Sequence, residues 1–292
     1  MFLILRSPML SSDPCHCRNR VTISKKVFAR KLCRDWSCTH HRTIPLAELR
    51  LFQPCRACVS FLCTNRGMLL MRTINDILAI SAERKGGEAA VLESVELSAD
   101  AATLAAIPDD RWLSQMTRSI FQAGFNWRVV DNMWLGFETA FHGFDIGRCA
   151  MMSDDWFDAL CRDTAIVRYP QKIRSVQQNA VFIQEHSARH GGFGRMIAEW
   201  PASDYAALLE LLKKEGNRLG GSTGQYFLRF MGVDGYILSR DVVARLIAEG
   251  VIDKPPTSKS AMRAVQAAMN EWQVQSGRSL KEISRILATS CG

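Results

Sequence analysis

The sequence predicts an all-α fold, and three observations predict it. From Met71 onward apolar residues recur at helical spacing, and alternating strand-like runs are nearly absent. Cap-forming Ser and Asn stand just before many of the periodic runs, and glycines stand just after several of them. The connections between runs are short, and no internal repeat or low-complexity tract interrupts them.

The elements follow in order. "MRTINDILAISAERKGG" opens the periodic region. In "DDRWLSQMTRSIFQAG" (109–124) Trp112, Leu113, Met116, Ile120 and Phe121 share one face, and Gly124 is the stop. Asn126 is a candidate N-cap for "NWRVVDNMWLGFETAF". Ser153 opens "DDWFDALCRD", whose acids occupy the first turn, where the helix dipole favours them. Pro170 stands at a first helical position before "QKIRSVQQNAVFIQEHSARHGG", which ends at a glycine pair. Ser203 is expected to cap "DYAALLELLKKEG" and Ser239 to cap "RDVVARLIAEG". Ser279 and Glu282 form a capping-box pair before "ISRILA". Pro255 and Pro256 forbid helix in "VIDKPPTSKS", a linker to a C-terminal helix pair with Trp272 in its apolar stripe. About nine to eleven helices are expected.

Composition sets the outer limits. The 292 residues are 47% hydrophobic and 23% charged, as in an ordinary globular protein. The net charge of +8 suggests nucleic acid, but residues 1–70 hold 12 Lys or Arg against 3 acids, and the remainder hold 25 against 26. The same first quarter holds seven of the ten cysteines. "CHC", "CTHH" and "CRAC" invite zinc, yet their gaps match no standard spacing. An Arg-rich, acid-poor transit peptide is another reading. Residues 1–70 are read as a disordered or non-native extension, with Met68 and Met71 as alternative starts, and residues 71–292 as the helical domain. No run of 18 uninterrupted apolar residues occurs, so no membrane span is expected. Cys149, Cys161 and Cys291 are scattered, as in a reducing cytoplasm, and a cytoplasmic location is expected.

Two stretches carry chemistry. "FQAGFNW" (121–127) sets three aromatics around a glycine with one amide, Gln122, among them; a core corner and a pocket wall both fit. "RLGGSTGQYFLRFMG" (218–232) turns at a glycine pair into Ser222, Thr223 and an amphipathic helix. Backbone N–H groups at such a helix start bind phosphate without side-chain charge. Lys213, Lys214 and Arg218 beside it supply a local positive field. A plain corner between helices is the alternative, since no lysine stands within the turn as a P-loop requires.

"QAGFNW", "FETAFHGFD" (137–145), "AIVRYPQKIRSVQQNA" (165–180) and "GGSTGQYFLRFMG" occur in this order. Together they resemble the DNA-3-methyladenine glycosylase I family of the helix-hairpin-helix DNA glycosylase superfamily, over about residues 110–246. The resemblance implies a helix-hairpin-helix DNA glycosylase-like helical domain. It also implies flipping and hydrolytic release of alkylated, 3-methyladenine-like bases from double-stranded DNA. Trp127 falls at the family's stacking tryptophan, where a cationic base would meet a π face. Gln122, Ser119 and Phe121 belong to the same base-binding segment, but Ser119 stands where the family has a glutamate and cannot stabilise a cation as a carboxylate does. Gly221, Ser222, Thr223, Lys213, Lys214, Arg218 and Lys172 are the expected DNA contacts, although Lys172 also reads as a solvated helix charge.

Across the superfamily an aspartate commonly follows the hairpin by about twenty residues and supports the developing sugar cation. Asp241 is better placed for that catalytic role than Asp234, though Asp241 also suits the helix dipole alone. The hairpin-helix position that holds a lysine in lyase members is near Gln225 here, which implies a monofunctional hydrolase. The family's zinc ligands have no counterparts, so no metal or other cofactor is expected. A monomer is expected. The competing reading is a catalytically degenerate protein that binds damaged bases without cutting. His142, His186 and His190 show no ligand spacing and are read as surface histidines.

Overall fold

A computed structural model describes residues 71–291; the cysteine-rich segment, with its extension, zinc and transit-peptide readings, lies outside the described residues. Among the described residues there are fifteen α-helices, two short 3-10 turns and no strand. The helices exceed the expected number because several are only five to seven residues long. The run 126–141, read as one helix, divides at Met133, whose φ of −91° and ψ of 0° leave the helical range.

The chain begins with α1 (Ile74–Lys85), α2 (Glu88–Leu92) and α3 (Ala101–Ala106). It continues through α4 (Asp109–Gln122), α5 (Trp127–Asn132), α6 (Trp134–Ala140), α7 (Ile146–Ala150) and α8 (Asp154–Arg162). The long α9 (Pro170–His190) is followed by α10 (Phe193–Ala198), α11 (Tyr205–Glu215), α12 (Ser222–Phe230) and α13 (Arg240–Ala248). The pair α14 (Lys259–Ser276) and α15 (Leu280–Ser290) completes it.

Two groups of helices share the core. In one, α15 packs along α1 and α13, with α14 beside it. Trp272 is fully buried there, and its indole N–H donates to the Arg72 carbonyl at 3.0 Å. In the other, α9 packs against α4, α7 and α10, while α11 and α12 form the hairpin pair and α12 lies against α4. The expected caps at Asn126, Ser153, Ser239 and Ser279 form. Ser203 does not cap: it lies in a 3-10 turn (Ala202–Asp204), and its carbonyl accepts from the Asn270 amide.

The "FETAFHGFD" block is a buttress. Glu138 accepts from both terminal nitrogens of Arg111 (3.0 and 3.1 Å), from the Ser114 hydroxyl (2.8 Å) and from the Trp134 indole (3.2 Å). Burial opposes the charge, but these hydrogen bonds win and hold the carboxyl below its ordinary range. Just before it, a Cβ at Gly136 would lie 2.2 Å from the Ala165 carbonyl oxygen, so only glycine lets α6 approach the 165 loop. Among the described residues no helix is long and apolar enough to cross a membrane.

Candidate active site

The end of α4, the start of α5 and the first turns of α12 enclose a cavity of about 240 Å³. Ser119, Gln122 and Trp127 lie on one side, and Ser222, Tyr226 and Phe230 on the other. Local chemistry places the tryptophan. Helix α4 stops at an extended Ala123, Gly124 turns with φ of +79°, and the Asn126 side chain accepts the Arg128 N–H at 3.0 Å to start α5. Trp127 is therefore the first residue of α5 and stays 44% exposed. It meets Tyr226 and Phe230 edge-on, with centroids 5.7 and 5.9 Å away. That is a wall held open rather than a packed interior.

Gln122 is buried and its amide nitrogen donates to Asp131 Oδ1 at 2.9 Å. A carboxylate only accepts, so the NH₂ must face Asp131 and the amide oxygen is left for another donor. Arg118 pairs with the same Asp131 oxygen at 2.7 Å, which offsets the charge nearest the cavity. Ser119 is buried, and its hydroxyl accepts from Gln115 at 3.3 Å. No Asp, Glu or Lys lines the cavity.

Lys172 fixes the turn from behind. Its ammonium donates to the carbonyls of Phe121 (3.2 Å) and Ala123 (2.7 Å), capping the C-terminus of α4, and lies 4.4 Å from the Phe125 ring centroid. Burial first, and then the charge of Arg218, lower its pKa to about 8. Lys172 is thus not a solvated charge: its ammonium turns inward onto the end of α4. The helix end needed a cation, and the buried stem supplies one.

The hairpin is fastened to α9. The Asn179 amide donates to the Asn217 carbonyl at 3.1 Å and accepts the Asn217 N–H at 2.7 Å. Gly221 precedes α12 with φ of +61°, and no side chain caps that end, so the first N–H groups of α12 keep their donors for a ligand. Gly221, Ser222, Lys213, Lys214 and Arg218 are exposed, Thr223 is half-buried, and Arg218 also bonds Gln171.

Other expected positions are corrected. Phe121 is fully buried and packs edge-to-face on Phe137 at 4.7 Å, on the core side of α4; it lines no part of the cavity. Asp234 accepts the N–H groups of Leu280 and Lys281 at 3.0 and 2.9 Å, which anchors the start of α15, and it does not line the cavity. Asp241 sits in the first turn of α13, 3.8 Å from Arg240, and does not line the cavity. His186 is buried and bonds Glu215 at 3.0 Å, whereas His142 and His190 are exposed. Sequence reasoning missed Asp131, Asn179, Tyr226 and Phe230; the aromatic spacing i, i+4 at Tyr226 and Phe230 was the available signal. Among the described residues no group of three or more His, Cys, Asp or Glu converges.

The described residues thus form an all-α domain whose paired-helix hairpin borders an aromatic cavity. Residues 105–218 match the methyladenine glycosylase family, and that segment is similar to it. A comparison with curated proteins found no match. Among solved structures the chain is similar to a 3-methyladenine DNA glycosylase I at 23% identity, covering 45% of this chain and 84% of that one, with a TM-score of 0.39. The Staphylococcus aureus 3-methyladenine DNA glycosylase I is 18% identical, covering 51% and 88%, at 0.41. The Methanocaldococcus jannaschii 8-oxoguanine glycosylase/lyase, solved with DNA containing 8-oxoguanine, is 12% identical, covering 72% and 94%, at 0.43.

Proposed function

We propose that this protein is a monofunctional glycosylase that takes a cationic, N-alkylated adenine out of duplex DNA and releases it by hydrolysis. The half-exposed Trp127 at the mouth of a cavity beside the hairpin carries this reading. A base held against that indole gains cation–π attraction only if it is positively charged. The free oxygen of Gln122 is aimed by Asp131 to accept from an exocyclic amino group. The positive base is already a good leaving group, so the absence of an acid from the cavity lining does not block the reaction. The lining also has no lysine, and that supports hydrolysis over a lyase step. The hairpin N–H groups, with Lys213 and Lys214, hold the backbone on either side.

Chromatography of bases freed from N-methylated duplex DNA tests this. Release of 3-methyladenine, leaving abasic sites without strand scission, is the expected result. One observation favours a second reading: Ser119 leaves the cavity without a carboxylate, as a damage-binding protein that does not cut would tolerate. Specific binding of methylated duplex without base release would select it.

A further inference from the structure

A second cavity, of about 410 Å³, lies behind the first and shares its Tyr226 and Phe230 wall. Those two rings stack at 27° with centroids 6.0 Å apart and line both cavities. The second cavity is different in character. Three cations line it, Arg229, Lys281 and Arg285, against a single acid, Glu96.

None of the three cations is spent on an ion pair among the described residues. Lys281 is only 2% exposed, and its ammonium has one long bond, to the Gly232 carbonyl at 3.3 Å. Arg229 bonds the Gly235 carbonyl at 2.8 Å, but its Nε is buried without a partner. Arg285 donates from Nε to the Val91 carbonyl at 3.3 Å. The nearby Asp234 carboxylate is occupied by two backbone N–H groups. Buried donors left this incomplete are costly unless an anion completes them. Burial lowers the pKa of both Lys281 and Arg229, and the pull of Asp234 and Glu96 in the other direction does not overcome it.

We propose that this cavity is a nucleotide site, with an aromatic ring lying along Tyr226 and Phe230 and a phosphate group meeting Lys281, Arg229 and Arg285. The space exceeds what a phosphate alone would fill, and Tyr226 and Phe230 give a flat ring aromatic neighbours. The occupant is either a nucleotide of the bound strand or a free mononucleotide. The proposal does not depend on base excision, because binding is read without turnover.

Calorimetric titration of the full-length protein with deoxyadenosine monophosphate, and separately with deoxyadenosine, tests it. The monophosphate should bind about tenfold tighter than the nucleoside, through charge-assisted hydrogen bonds. Arg285→Gln and Lys281→Met should each weaken the monophosphate about fivefold or more while leaving the nucleoside unchanged. If the buried Lys281→Met protein does not fold, the half-buried Arg285→Gln decides. In a competition arm, displacement of monophosphate by undamaged duplex assigns the site to a strand nucleotide, and simultaneous binding assigns it to the free one. Equal affinity for monophosphate and nucleoside would overturn the proposal, as would no measurable binding. Full binding in Arg285→Gln together with loss in Trp127→Ala would also overturn it, by placing the nucleotide in the first cavity.

Discussion

Two aromatic clusters of the molecule behave in opposite ways. Trp134, Phe137, Phe141 and Phe144 stack nearly parallel, at 18°, 11°, 12° and 14° for successive contacting pairs, and the three phenylalanines are fully buried. Phe125, Trp127 and Phe230 remain 39%, 44% and 47% exposed, and Trp127 meets its neighbours edge-on around a void. The residue types are the same; contact with water separates them. A protein that leaves large rings half in water gives up burial free energy of about 25 cal/mol per Å². The cluster that forgoes it is the one that borders the cavity.

The largest effect should come from the buried cluster. Phe137→Ala is expected to cost about 3–5 kcal/mol of stability, through lost transfer energy and a cavity. Trp127→Ala should cost about 1 kcal/mol or less, because the ring is already half solvated. Chemical denaturation of the two variants measures both, and a reversed order would erase the distinction between core and wall.

The second effect sharpens the functional side. Trp127→Phe keeps a π face and should retain substantial base release, whereas Trp127→Ala should lose about tenfold or more, since cation–π stacking is worth about 0.5–2 kcal/mol. Undiminished release by a folded Trp127→Ala protein would return the tryptophan to a packing role.

The helices were largely legible because their signals are local. Caps such as Asn126 and Ser279 act within three residues, and the glycine that ends α9 acts at its own position. The site was legible only where one segment supplies it: Trp127, Gln122 and Ser119 lie within nine residues of chain and line one wall. What stayed hidden depends on distant partners. Phe121 and Gln122 are adjacent in sequence, yet one turns to Phe137 and the other to Asp131. Lys172 looked like a surface charge until α9 carried it 49 positions back to the Ala123 carbonyl. Asp234 gave no sign in the sequence that α15, 46 residues onward, would set its N–H groups on it.

A third, smaller effect concerns that lysine. Below pH about 8 Lys172 is protonated both folded and unfolded. Between about 8 and its ordinary 10.5 the folded protein has released this proton while the unfolded chain still binds it, so this group's contribution makes stability rise with pH. Activity should move the other way, falling a few-fold above pH about 8 as the charge that caps α4 and faces Phe125 is lost. Lys172→Met should flatten both profiles. A parent pH–rate profile unchanged through this window would show that the turn does not need the charge.

The smallest effect is expected at Asp241, and a null result there is informative. If Asp241 supported the sugar cation, removing its charge while keeping its shape would cost orders of magnitude in rate. The geometry argues otherwise. Asp241 occupies the first turn of α13, behind the cap formed by Ser239, and its nearest charged neighbour is Arg240 at 3.8 Å. Its side chain is 45% exposed and stands outside the cavity lining. A carboxylate there serves the helix dipole, worth about 0.3–1 kcal/mol. Asp241→Asn should therefore lower stability by no more than about that amount and leave single-turnover base release within about twofold. A loss of a hundredfold or more in a folded Asp241→Asn protein would mean that bound DNA draws α13 towards the cavity. The wall of Trp127 and Tyr226 would then be only half of the catalytic site.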